Sequence, residues 1–124
     1  MRFLIFDSNR VYAKKVQALI EEHIKDAEVE LAHNIPVLRQ RLDGARYDLI
    51  LADVDTTLDT AAALKELNLV AKKSMVVVWS AVRTPVTKTQ VSPRCDAAMV
   101  LPKAFEPKAI QVALDKVIHA RCAV

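Results

Sequence analysis

The chain alternates between short apolar runs and longer segments that are apolar along one side only. Arg2-Phe-Leu-Ile-Phe6, Tyr47-Asp-Leu-Ile-Leu-Ala52 and Met75-Val-Val-Val-Trp79 are nearly unbroken apolar stretches of strand length. Such runs predict strands buried on both faces, as in a parallel sheet. Glu28-Val-Glu-Leu-Ala-His33 alternates polar and apolar residues instead, which predicts a strand nearer an edge. Ala97-Ala-Met-Val-Leu101 reads as a further strand. Helical patterns lie between. From Val11 to His23 the residues Val11, Val16, Ala18, Leu19 and Ile20 form an approximate stripe behind the capping group Asp7-Ser8-Asn9. Asn34 caps a second helix with Pro36 in its first turn, apolar at Ile35, Val37, Leu38 and Leu42 and stopping at Gly44, the chain's single glycine. Ala61 to Val70, rich in Ala and Leu, predicts a third. Glu106-Pro107 opens a last helix carrying Ile110, Ala113, Leu114, Val117 and Ile118. Between Val82 and Arg94 the pattern is weak, and Pro85 and Pro93 leave room for a short helix at most.

Strands alternating with helices, without an internal repeat or linker, predict one domain spanning residues 1–124. The expected fold class is α/β: a doubly wound, five-stranded parallel sheet in the order 2-1-3-4-5, flavodoxin-like, with helices on both faces. In that order the carboxyl ends of the strands share one rim, where open α/β sheets bind ligands. Asp7, Asp53, Ser80 and Lys103 all fall at such ends. A charged side chain is seldom fully buried without a partner, so the convergence of two aspartates with a lysine marks a shared anionic site.

Composition narrows the classes. An apolar fraction of 52% with 27% charged residues belongs to a globular chain. No apolar run approaches the roughly 20 residues of a membrane span, and the start lacks the apolar core and cleavage site of a signal peptide. Cys95 and Cys122 are too few and too far apart for a disulfide framework or a zinc site, so a reducing cytoplasm is the expected compartment. The net charge of +3 is scattered, aromatics are 5%, and no helix-turn-helix signal appears, so direct nucleic-acid binding is not expected. A single glycine excludes a Gly-rich phosphate or flavin loop, and neither a Ser-His-Asp nor a His-Glu-x-x-His pattern is present. The expectation is a module that is not an enzyme. His23, His33 and His119 share no metal spacing and read as surface or interface residues.

Four segments together carry a resemblance. Phe3-Leu-Ile-Phe-Asp7-Ser8, Tyr47-Asp-Leu-Ile-Leu-Ala-Asp53-Val, Val76-Val-Val-Trp-Ser80-Ala81 and Leu101-Pro-Lys103-Ala-Phe105 resemble, in order and spacing, the motifs of response-regulator receiver domains of two-component signalling. The resemblance covers essentially the whole chain. It implies that Asp53 is the phosphoacceptor, served by a histidine kinase or phosphotransfer protein. Asp7 and Asp53, with Asp55 as a further candidate, would hold Mg²⁺. Lys103 would pair with a phosphoryl oxygen, and Ser80 would turn inward to hydrogen-bond it. The resulting shift would repack the surface of the last two helices and the fifth strand, where a downstream protein, an output domain or a second copy would bind. The chain would stand alone or be cut from a larger regulator.

The departures from the family pattern are specific. Ser8 replaces the second acidic residue, so Mg²⁺ affinity should fall. Asp55 stands where the family uses a backbone carbonyl; its carboxylate either restores some charge or repels a phosphodonor, unless it is only a solvated loop residue. Val100 replaces the aromatic switch residue, and Ala104 the proline after the lysine, before which a cis bond would cost about 2.5–4 kcal/mol. Plainer readings stand beside the functional one: Asp7 and Asp53 as helix caps, Lys103 as a structural counter-charge, Trp79 as core. The alternative function is a pseudo-receiver, a protein-interaction module independent of phosphorylation.

Overall fold

Strands that are apolar on both faces must be covered on both faces, and the alternation of such strands with amphipathic helices leaves one economical arrangement. The computed structural model, which describes residues 1–53, 60–70, 74–80 and 99–122, adopts it. In chain order the elements are β1 (Arg2–Phe6), α1 (Arg10–His23), β2 (Glu28–Ala32), α2 (Ile35–Gly44), β3 (Leu49–Ala52), α3 (Thr60–Val70), β4 (Met75–Ser80), β5 (Met99–Pro102) and α4 (Pro107–Cys122). The five strands form one parallel sheet in the order β2-β1-β3-β4-β5, the expected doubly wound topology. The segment 82–94 lies outside the described residues.

The period of two along each strand divides the core. Phe3, Ile5, Leu49, Leu51, Val77 and Trp79 face one way and pack against Tyr12, Ala13, Val16 and Ile20 of α1 and Ile110, Leu114 and Val117 of α4. Leu4, Phe6, Ile50, Ala52, Val76 and Val78 face the other way, against Leu38 of α2 and Ala63 and Leu67 of α3. Trp79 is core, as expected, at 1% exposure. β2 is the less buried edge strand that its alternation predicts.

Three details differ from the sequence pattern. Val11 is 80% exposed and Ala18 is exposed too, while Tyr12 and Ala13 are buried. The buried stripe of α1 is centred one residue later, because positions seven apart such as 11 and 18 share a side, and that side faces solvent. Gly44 is the last residue of α2, not a left-handed stop beyond it: no glycine has positive φ, and the helix ends as Ala45 turns extended. The sequence pattern placed the fifth strand from Ala97; its described part begins at Met99 and takes in Pro102.

A polar cluster borders the edge strand. The buried Tyr47 hydroxyl donates to Glu30 Oε2 at 2.7 Å, and Arg2 and Arg41 pair with the same carboxylate at 3.1 and 3.5 Å. Burial, then the bond to Glu30, pushes the Tyr47 phenol up to about 12. That same bond, ahead of the arginines, holds the Glu30 carboxyl below its ordinary value. A depressed carboxylate adds stability above its unfolded pKa and loses it as pH falls through the folded one. Tyr47→Phe should therefore move the Glu30 titration up towards the usual carboxylate range, followed by NMR of its side chain, at a stability loss of about 0.5–1.5 kcal/mol.

Candidate functional site

Asp7, Asp53 and Lys103 are each the first residue after a strand: β1, β3 and β5 respectively. Backbone bonding continues past the first two strand ends and fixes both aspartates in register: Asp7 N–H donates to Ala32 O at 3.0 Å and Asp53 N–H to Phe6 O at 2.9 Å. Asp7 Oδ1 accepts from Asn9 N at 2.8 Å, and Asn9 in turn caps α1 by accepting from Tyr12 N at 3.0 Å. Asp7 Oδ2 and Asp53 Oδ2 meet at one cation. Lys103 Nζ donates to Asp7 Oδ2 at 2.8 Å and to Asp53 Oδ2 at 2.5 Å. Both aspartate side chains have no exposed surface, and the lysine side chain has 4%.

Burial pushes the Asp7 carboxyl above its usual range, against the opposing pull of Lys103 and Asn9 N–H, and the neighbouring Asp53 charge adds to the rise. Two carboxylates and one ammonium leave the cluster net negative when all three are charged.

Aromatic rings wall the lysine. Its Nζ lies 4.2 Å from the centroid of the Tyr12 ring and 5.9 Å from that of Phe105. The Tyr12 hydroxyl donates to the Ala104 carbonyl, and Lys15 Nζ donates to Phe105 O at 3.0 Å. The Tyr12 ring also meets Trp79 edge-on at 5.9 Å and Phe105 at 5.7 Å. Burial, followed by the charges of Asp7 and Asp53, drives the Tyr12 phenol well above its ordinary value, so it stays a donor at neutral pH.

The structure thus brings together three of the residues singled out from sequence: Asp7, Asp53 and Lys103. Ser80 ends β4 opposite Pro102 of β5, which places its backbone on the same rim; its hydroxyl lies outside the described atoms. Asp55 lies outside the described residues. Ser8 is exposed, whereas Asp7 is buried. Tyr12 and Phe105 are the site residues that the sequence pattern missed. The cap at Asn9 was a usable signal for Tyr12, since it sets residue 12 in the first turn of a helix that starts beside a strand end. His33, read as a surface or interface residue, has its ring Nδ1 3.3 Å from Asp7 O.

No protein-family model and no curated protein matches the sequence. Solved structures do match the fold. The chemotaxis response regulator CheY4 of Vibrio cholerae superposes with a TM-score of 0.73 at 21% identity, covering 94% of this chain and 97% of that one. The response regulator TrrA of Thermotoga maritima, solved in complex with Mg²⁺-BeF, gives 0.71 at 15% identity over 94% and 97%. A CheY-like receiver domain from Methylobacillus flagellatus gives 0.70 at 17% over 94% and 98%. The fold is that of a response-regulator receiver domain.

Within that receiver fold the described donor set can be tested against Mg²⁺. Among the described residues no group of three or more His, Cys, Asp or Glu side chains converges on a point. Mg²⁺ keeps several waters and takes one or two protein carboxylates together with phosphate oxygens. Asp7 and Asp53 meet that requirement in kind and number, and the Lys103 ammonium is the cation already between them. No described helix is long and apolar enough to cross a membrane.

Proposed function

We propose that the chain is a phosphoacceptor receiver of two-component signalling, which takes a phosphoryl group from a histidine kinase or phosphotransfer protein onto Asp53. The observation that carries this reading is the single lysine ammonium bound to two buried carboxylates at the carboxyl edge of a parallel sheet. An Asp53 carboxylate oxygen attacks phosphorus as the P–N bond to the donor imidazole breaks, and an acyl phosphate forms. Asp7 and Asp53 would hold Mg²⁺, and Asp55 is the third candidate. The ion, when bound, screens the charge of the transferred group. Lys103 moves from the carboxylates to a phosphoryl oxygen, where its ammonium acts as a point charge. Ser80, on the same rim, supplies the hydroxyl that senses the modified aspartate. The altered surface then changes affinity for a downstream protein, an output domain or a second copy.

The test is a titration of Mg²⁺ with beryllofluoride, following Trp79 fluorescence. A saturable change is expected in the natural chain and no change in Asp53→Asn. Trp79 suits the purpose because its ring touches Tyr12, which lies under Lys103.

The complete burial of both carboxylates favours one second reading, in which Lys103 is a permanent counter-charge and the chain a phosphorylation-independent interaction module. In that case fluorescence stays flat with beryllofluoride, and partner binding is unaffected by Asp53→Ala.

A further inference from the structure

α1 grips three consecutive residues of the loop after β5. The Tyr12 ring lies against the Lys103 ammonium, its hydroxyl holds the Ala104 carbonyl, and Lys15, one turn further along, holds the Phe105 carbonyl. Phe105, 53% exposed, packs at a tilt beside the Tyr12 ring. The same lysine shields two carboxylates that have no exposed surface of their own. Among the described residues Lys103 is the cation paired with both carboxylates, and Tyr12 is the side chain that holds its ammonium from the other side.

We propose that Tyr12 is a positioning residue that latches Lys103 over Asp7 and Asp53, so that release of this latch governs access of a divalent cation to the site. The contact belongs to this chain's own geometry; its regulatory meaning rests on the receiver reading. Two physical components act together. The π face attracts the ammonium, most strongly where water is excluded. The hydroxyl ties the backbone beside the lysine, so the stem of Lys103 starts from a fixed point. Asn9 orients the latch in turn, since its cap bond is to the Tyr12 amide. Tyr12 and Phe105 are the aromatic side chains that contact this lysine among the described residues.

The experiment follows the Lys103 side-chain ammonium by ¹H–¹⁵N NMR, assigned by its loss in Lys103→Arg. In the natural chain its hydrogens should exchange slowly with water. Tyr12→Leu, which removes ring and hydroxyl, should speed that exchange by about thirtyfold, the scale of one desolvated cation–π contact. Tyr12→Phe, which keeps the ring, should fall between. Backbone amide exchange in β1 and β3 should not change, which separates a latch from general loosening. Mn²⁺, used as a paramagnetic probe, should bind Tyr12→Leu more tightly than the natural chain by a similar factor. Should Tyr12→Leu lose its fold, Tyr12→Met, an unbranched side chain that fills irregular space, takes its place. A folded variant with unchanged Lys103 exchange and unchanged Mn²⁺ affinity overturns the proposal. Because ammonium exchange needs no phosphoryl analogue, failure of beryllofluoride to bind Asp53 would leave that result intact.

Discussion

Lys103→Met is expected to lower the unfolding free energy by about 3–5 kcal/mol at neutral pH, the usual result of removing one partner from a buried ion pair. Two carboxylates with no exposed surface would then share a pocket without a described counter-charge. Denaturant unfolding at two pH values reads the effect. Burial already raises the folded pKa of Asp7 above 3.8 with Lys103 opposing, and loss of the lysine raises it further. For a carboxylate raised on folding, the native state binds more protons than the unfolded chain, so stability falls as pH rises through that window. The deficit in Lys103→Met should therefore shrink on acidification. A small loss that does not vary with pH would mean that the three groups are solvated in solution. Addition of Mg²⁺ should recover part of the loss if the carboxylates take a divalent cation.

Leu51→Ala should cost about 2–5 kcal/mol, with a fall in melting temperature of about 10 °C or more. Leu51 is fully buried in the middle strand, opposite Ile5 of β1 and Val77 of β4, and it packs into the layer under α1 and α4. The truncation leaves a cavity that the flanking strands cannot collapse, because each is held by its own ladder. The position lies two residues before Asp53, so the variant should also weaken beryllofluoride binding. A loss below about 1 kcal/mol would contradict the central place of β3.

The fold was legible because strands buried on both faces announce themselves. Tyr47-Asp-Leu-Ile-Leu-Ala52 has no polar face to show, and Glu28 to His33 has one, which was enough to place the first at the centre and the second at an edge. Strand ends then located Asp7, Asp53 and Lys103 together, although 96 positions separate the first from the last. The phase of α1 was harder to read. A stripe drawn through aliphatic residues takes in Val11 and Ala18 and passes over Tyr12, whose hydroxyl makes it look like a surface residue. In the fold that hydroxyl is satisfied by a carbonyl beyond the far strand, a partner that local sequence cannot supply. The sealing of the carboxylates was equally invisible, since it depends on where a long lysine side chain comes to rest. Ser80 was legible as a candidate only from its place at a strand end, and Asp55 only through the family resemblance.

The placement of the charges along the chain spreads their meeting across the sheet. β1, β2 and β3 all come from the first 52 residues and are contiguous in the sheet, so Asp7 and Asp53 end neighbouring strands. Lys103 follows β5, which pairs with β4 and not with β3. The ion cluster therefore closes over β4, and its geometry depends on the register of every strand from β1 to β5.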